Sequence, residues 1–245
     1  MRLAHDGVLS ASGLWAVLEH DGSFVSRSSA PDVLEIIDFD RGLTSLLLKL
    51  IALAELALRA SLARRLAEAY GPAVLMQREA FENEGYYVQL RQTVEREVSQ
   101  ARLYKSVSAS GESEQQSAPR IWAAVEFTSF GAASKLHQDL SSRDLSVAIA
   151  KDFGVKPPLL KNWLRYITQV RNMCAHQNRL YGCRFAFTPR LFREHAGVSK
   201  DRLFPIFIVL FHLMDSINPS KATVCRAELD ALIRAHSKVD LRTLV

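Results

Sequence analysis

From residue 32 to residue 70 apolar positions recur without a proline and with a single glycine, Gly42, among Leu, Ala, Arg and Glu, which are strong helix formers. One long helix is predicted there, closed by Gly71 and Pro72, because glycine suits the position past a helix end and proline cannot continue it. A second helix is predicted over 83–105, where Val88, Leu90, Val94, Val98 and Leu103 approximate helical spacing. Further helices are expected at 120–138, 143–153, 156–181, 200–217 and 221–236, with Pro157 and Pro158 in the first turn of the third of these. No sustained strand alternation occurs, although FAFT (185–188) suits a short extended piece. The pattern predicts an all-α helical bundle.

Two stretches fall outside this pattern. Residues 1–31, with Gly7, Gly13, Gly22 and the run SRSSAP, lack periodicity and are expected to form an irregular or weakly helical lead-in. The run SVSASGESEQQSAP (106–119) is polar, small and low in complexity, and is expected to be a flexible surface insertion. The remaining residues, 32–245, are expected to form one helical domain.

Composition narrows the setting. Of 245 residues, 48% are hydrophobic, enough for a sizeable core. The three cysteines, Cys174, Cys183 and Cys225, form no CxxC pair and are odd in number, which argues against a disulfide framework or a four-thiolate zinc site and fits a reducing cytoplasm. The first residues contain no signal-peptide hydrophobic region, and the most apolar run, Leu46 to Leu58, is interrupted by Lys49 and Glu55 and is too short for a bilayer. A cytoplasmic protein with no membrane partner is expected. Net charge is +5, unevenly spread: from Lys151 to Arg202 eleven Lys or Arg face three acids, a local balance of +8. Such a concentration suits a phosphate-backbone partner, and equally a solvated basic face.

The segment LLKNWLRYITQVRNMCAHQNRLYGCRF lies inside that basic stretch. On a helix, Leu160, Leu164 (or Trp163), Ile167, Val170 and Cys174 form an apolar stripe, and Arg165, Gln169, Asn172, His176 and Arg179 form a polar one. Such a helix can pack on a bundle and still offer donors to a phosphate.

The run RNMCAHQNRLYG resembles the motif of the HEPN superfamily, in the version carried by abortive-infection (Abi-like) proteins, where Arg-Asn and Ala-His are followed by Arg-Leu and an aromatic. DFDRGL (38–43), with Glu55 and Arg59, is similar to the family's acidic-aromatic-Asp-Arg helix start and its Glu-Arg helix, and PRIWAAVEFTSFG (119–131) is similar to a third family segment. The resemblance covers roughly residues 32–217 and implies a HEPN-type bundle, a homodimer with a composite cleft, and a metal-independent endoribonuclease. Its products would carry 2′,3′-cyclic phosphate and 5′-hydroxyl ends. It would act as a toxin or phage-defence effector restrained by an RNA or protein antitoxin or by a conformational lock. The alternative is a non-catalytic HEPN module that binds RNA or a protein partner; a purely structural helical protein is a third reading.

Chemistry supports the residue types. Attack of a 2′-hydroxyl on the adjacent phosphorus needs a proton acceptor and a cation for the charge on the phosphoryl oxygens. An imidazole of ordinary pKa ~6.5 suits the first task and a permanently charged guanidinium the second. His176 is therefore the expected general base or acid, Arg171 the phosphate clamp, and Asn172 an orienting donor. Lys161, Arg165, Arg179 and Arg184 are candidate RNA contacts. At about 100° per residue Arg171 and His176 stand about 140° apart on an ideal helix. Either the helix distorts near His176, or the Arg side chain swings round, or a second protomer supplies the missing group; the HEPN resemblance favours the last.

Glu55 and Arg59, an i, i+4 pair in apolar surroundings, are expected either to fix helix register or to orient the motif arginine, and Glu126 carries the same ambiguity. Cys174 falls on the apolar stripe and reads as a packed small side chain, not a nucleophile. His137, His195, His212 and His236 have no metal-ligand spacing, so neither metal nor cofactor is expected. GxxxxGK followed by Ser or Thr, GxGxxG and GxSxG are all absent, which removes the usual nucleotide-loop and serine-hydrolase readings.

Overall fold

The computed structural model describes residues 19–20, 23–24, 30–104 and 120–244, and among them the chain is all-α, with eight α-helices. The first, α1, runs over Ala30–Tyr70, passing through Gly42 without a break. It stops as the sequence predicts: Gly71 adopts φ 80° and its N–H bonds the Ala67 carbonyl at 2.9 Å, a left-handed cap. The second helix, α2, spans Glu84–Tyr104. Among its described side chains Tyr87, Leu90 and Val94 are buried, whereas Val88 is exposed, since it lies one residue and so about 100° off the face the other three share; the side chains of Val98 and Leu103 lie outside the described residues.

The helix expected over 120–138 is two: α3, Ile121–Phe127, and α4, Phe130–Gln138. Thr128 and Ser129 are extended between them, and the Ser129 side chain caps α4 by accepting from the Ala132 N–H at 3.3 Å. Next come α5, Arg143–Asp152, capped by Ser142, and α6, Pro157–Ala175. The last two are α7, Phe204–Ile217, and α8, Pro219–Ala235, each with proline in its first turn. Thus α7 starts four residues later than expected, where Pro205 sets the first turn. FAFT is not a strand; instead a two-residue ladder, Glu19–His20 with Ser23–Phe24, lies in the lead-in. The remainder of the lead-in and the 106–119 insertion lie outside the described residues.

The chain divides into two compact units, and both α1 and α6 contribute residues to each. In the unit formed by residues 1–52 and 169–245, Val33, Phe39, Leu43, Leu47 and Leu50 of α1 are fully buried, as are Ile206, Val209, Leu210 and Leu213 of α7. Helix α8 comes close to α1 at Gly42, where a Cβ would stand 2.4 Å from a Leu232 methyl, and the Lys49 ammonium bonds Glu228 at 2.6 and 2.8 Å. The Phe39 ring meets the edge of Tyr181 at 6.3 Å and the His236 ring at 5.5 Å.

In the unit of residues 53–168, Leu58, Leu62 and Leu66 of α1 are fully buried, as are Trp163, Tyr166 and Ile167 of α6. Asp152 accepts from Ser61 at 2.7 Å, Arg64 at 2.9 Å and Arg65 at 2.7 Å. Burial pushes its carboxyl up, but the bonds from Arg65 and Ser61 and the charges of Arg65 and Arg64 together outweigh that and hold it below the usual range. His137 is the opposite case. It is fully buried, and neither ring nitrogen has a hydrogen-bond partner. Burial, and secondarily the Lys161 charge, lower its pKa to about 4.

Helix α6 ends in a double cap. The Gln177 N–H bonds the Cys174 carbonyl at 3.1 Å and the Asn178 N–H bonds the Met173 carbonyl at 2.9 Å, the pair of bonds of a Schellman motif. Gln177 itself sits at φ 54°, the only non-glycine with positive φ among the described residues. The helix expected to reach residue 181 therefore stops six residues earlier.

Two outcomes follow for stability. The folded state disfavours protonated His137, so the unfolded chain binds more protons between pH 6.5 and about 4. Folding free energy should then fall as pH drops through that window, by at most about 3 kcal/mol. Denaturant titrations of the parent and His137→Leu across pH 4–7 should show this fall shrinking in the variant; parallel pH profiles would refute it. Gln177→Gly should raise stability by about 0.5 kcal/mol, because glycine adopts a left-handed cap without the Cβ penalty. A lower unfolding midpoint for that variant would mean that Gln177 contacts outweigh the strain.

Candidate functional site

Helix α6 is amphipathic as its spacing predicts. Leu160, Trp163, Leu164, Ile167, Val170 and Cys174 are all buried, whereas Arg165, Asn172 and His176 are exposed. Arg171 and Gln169 are half-buried, and the Gln169 Oε1 is buried without a hydrogen-bond partner. The His176 N–H still bonds the Asn172 carbonyl at 3.0 Å, so the helical ladder is intact through the motif and breaks only at Gln177. Distortion ahead of His176 does not bring it toward Arg171. The two remain about 140° apart around the helix axis. No hydrogen bond or ion pair joins the side chains of Arg171, Asn172 or His176 to other described residues, and His176, as the C-cap, stands where the chain turns away.

Arg179 leaves the polar stripe because the helix has ended. It is half-buried in the loop that follows, with Nε and Nη1 buried and unbonded. That loop is fastened by a residue absent from the sequence-based site. The Asp40 Oδ1 of α1 accepts from the N–H groups of Leu180 at 3.0 Å and Tyr181 at 2.6 Å. Burial raises the Asp40 carboxyl pKa, with those two amides and the Arg179 charge pulling the other way. The signal was present as an acid amid the apolar positions of α1, but its partners lie 140 and 141 residues away. Burial, reinforced by the Asp40 charge, pushes the thiol of Cys174 to about 12 and that of Cys183 to about 11, values of packed thiols and not of nucleophiles.

The other candidates are partly committed elsewhere. Lys161 donates to the Gln138 carbonyl at 2.9 Å, and Arg184 is paired with Asp201. Arg59 is ion-paired with Glu55 and donates to the carbonyls of Glu126 at 3.0 Å and Thr128 at 2.6 Å. A cation is well placed on carbonyls at a helix C-terminus, and here it ties α1 to the end of α3. Lys161, Arg59 and their partners lie in the unit of residues 53–168, whereas Arg184 and Asp201, like Arg171, Asn172, His176 and Arg179, belong to the other unit. Glu126 contributes its carbonyl to that arrangement, and its side chain is exposed.

Among the described residues no three His, Cys, Asp or Glu side chains gather as a metal site, and no helix is long and apolar enough to cross a membrane. Comparison with curated proteins and with solved structures finds no match. A family model described as Abi-like protein matches residues 2–182, a span that includes α1, the whole of α6 and the Asp40-fastened loop. Since that span is well over half of the sequence and contains the Arg171 to His176 motif, the chain belongs to the Abi-like protein family.

Proposed function

We propose that the chain is an endoribonuclease of the HEPN type that acts in abortive infection, the role toward which Abi-like membership points. The observation that carries the reading is an intact amphipathic helix ending in exposed Asn172 and His176 and half-buried Arg171, none of them bonded to other described side chains. His176 takes the proton of an RNA 2′-hydroxyl, whose oxygen attacks the adjacent phosphorus. The 5′-oxygen leaves and takes up a proton, giving a 2′,3′-cyclic phosphate and a 5′-hydroxyl. Arg171 neutralises the charge that accumulates on the phosphoryl oxygens, and Asn172 orients the phosphate. No metal ion is needed for these steps.

A homodimer completes this site. With Arg171 and His176 about 140° apart on one straight helix, two copies of α6 facing across a two-fold axis bring the imidazole of one copy to the guanidinium of the other. The same axis supplies two imidazoles, one for each proton transfer. The angular separation also favours the second reading, a binding module that uses the basic segment for affinity alone.

The test is incubation of purified protein with total RNA, with and without EDTA. Cleavage should proceed equally in both. His176→Ala should lower the rate by about 100-fold or more while RNA affinity stays within a few fold, and Arg171→Ala should lower it by about 100-fold. Absence of cleavage by the parent would sink the nuclease reading. If RNA is then bound but uncut, loss of affinity in Arg165→Ala and Arg179→Ala would establish the binding module.

A further inference from the structure

We propose that Asp40 is a positioning residue of the candidate RNA site, fixing the loop after α6 so that the Arg179 guanidinium is presented to a phosphodiester; the inference rests on the RNA-directed reading above. A single carboxylate oxygen takes two consecutive backbone N–H groups, Leu180 and Tyr181, at 3.0 and 2.6 Å. Two amides converging on one oxygen fix the local backbone more tightly than either bond alone, and a charged acceptor strengthens both. The loop is secured a second time by Tyr181. Its ring stands edge-on to buried Phe39, the neighbour of Asp40 in sequence, and its hydroxyl donates to the Asp240 carbonyl at 3.1 Å.

What this fastening does for Arg179 follows from where the bonds go. Asp40 lies close enough for its charge to interact with the Arg179 guanidinium, yet it makes its hydrogen bonds to backbone and none to that side chain. Of the three guanidinium nitrogens, Nε and Nη1 are buried and unbonded, which leaves Nη2 as the one facing solvent. A cation whose position is set by its backbone, and whose one accessible donor no protein acceptor occupies, is a directional site for an anionic oxygen. It stands three residues past His176, at the end of the motif helix. Asp40 therefore touches no RNA and acts through Arg179.

A double-mutant cycle on affinity for a fluorescein-labelled single-stranded RNA oligonucleotide tests this, with every protein carrying His176→Ala so that the RNA stays intact. Asp40→Ala and Arg179→Ala should each weaken binding by about tenfold, and the double variant should be no weaker than either by more than about twofold. Additive losses, or an Asp40→Ala affinity equal to that of the reference, would overturn the proposal. Asp40→Asn keeps the acceptor oxygen, so it should stay within about threefold of the reference and keep the Leu180 and Tyr181 amides slow to exchange. A tenfold loss in Asp40→Asn with those amides still protected would also overturn it, and this arm decides the matter should Asp40→Ala not fold. Binding without cleavage by the parent sinks only the nuclease reading. Absence of binding sinks both.

Discussion

A helix must dispose of its last carbonyls, and the way α6 does so shapes everything around the motif. The carbonyls of Met173 and Cys174 are taken by the amides of Asn178 and Gln177, which forces Gln177 into the left-handed region and turns the chain sharply after His176. The C-terminus of a helix carries a partial negative charge, which by itself repels a phosphate. Cations on both sides of the cap offset that field: Arg171 one turn before the end, Arg179 in the loop just beyond it. The basic residues of the motif thus answer a specific electrostatic need created by where the helix stops.

The stopping point in turn depends on α1. Nothing in QNRLY forbids helix, and Gln, Arg and Leu all favour it. The competing interaction is the Asp40 carboxylate, which offers the amides of Leu180 and Tyr181 a better acceptor than the next helical carbonyls. A half-buried acid on an otherwise apolar face is costly unless its oxygens are used, and the loop after α6 uses one of them twice. Phe39 and Tyr181, packed edge to face, place the two segments in the same contact. A residue that holds the loop after α6 and core residues are therefore interleaved in the run DFDRGL, and substitutions there act on both.

This division explains what could be read from the sequence and what could not. The apolar stripe from Leu160 to Cys174 and the C-terminal end of α1 are local properties, set by spacing, glycine and proline, and each is where the pattern places it, whereas α1 starts two residues earlier than expected, at Ala30. The overlong reading of α6 came from a long-range contact, invisible to any window of a dozen residues. The split between α3 and α4 hinges on Ser129 acting as a cap instead of a tolerated interior serine, a choice decided by tertiary context. Arg59 shows the same limit. Its i, i+4 pairing with Glu55 was legible, but its remaining donors go to carbonyls at the end of α3, a helix end the sequence did not reveal.

Charge counting needs the same correction. The +8 balance between Lys151 and Arg202 suggests a broad basic surface, yet Lys161 is drawn to a backbone carbonyl beside the buried His137, and Arg184 faces Asp201. A cation already bonded within the fold must break that bond before it can release a counterion from RNA, so its contribution to affinity is reduced. Arg171 has no such competitor, and Arg179 has an anion nearby that bonds elsewhere. The effective footprint is therefore smaller than the net charge implies. Under the proposed nuclease reading, affinity gathered at the end of α6 would bring RNA to His176, whereas the same charge spread along the segment would hold RNA without placing a phosphodiester at the imidazole.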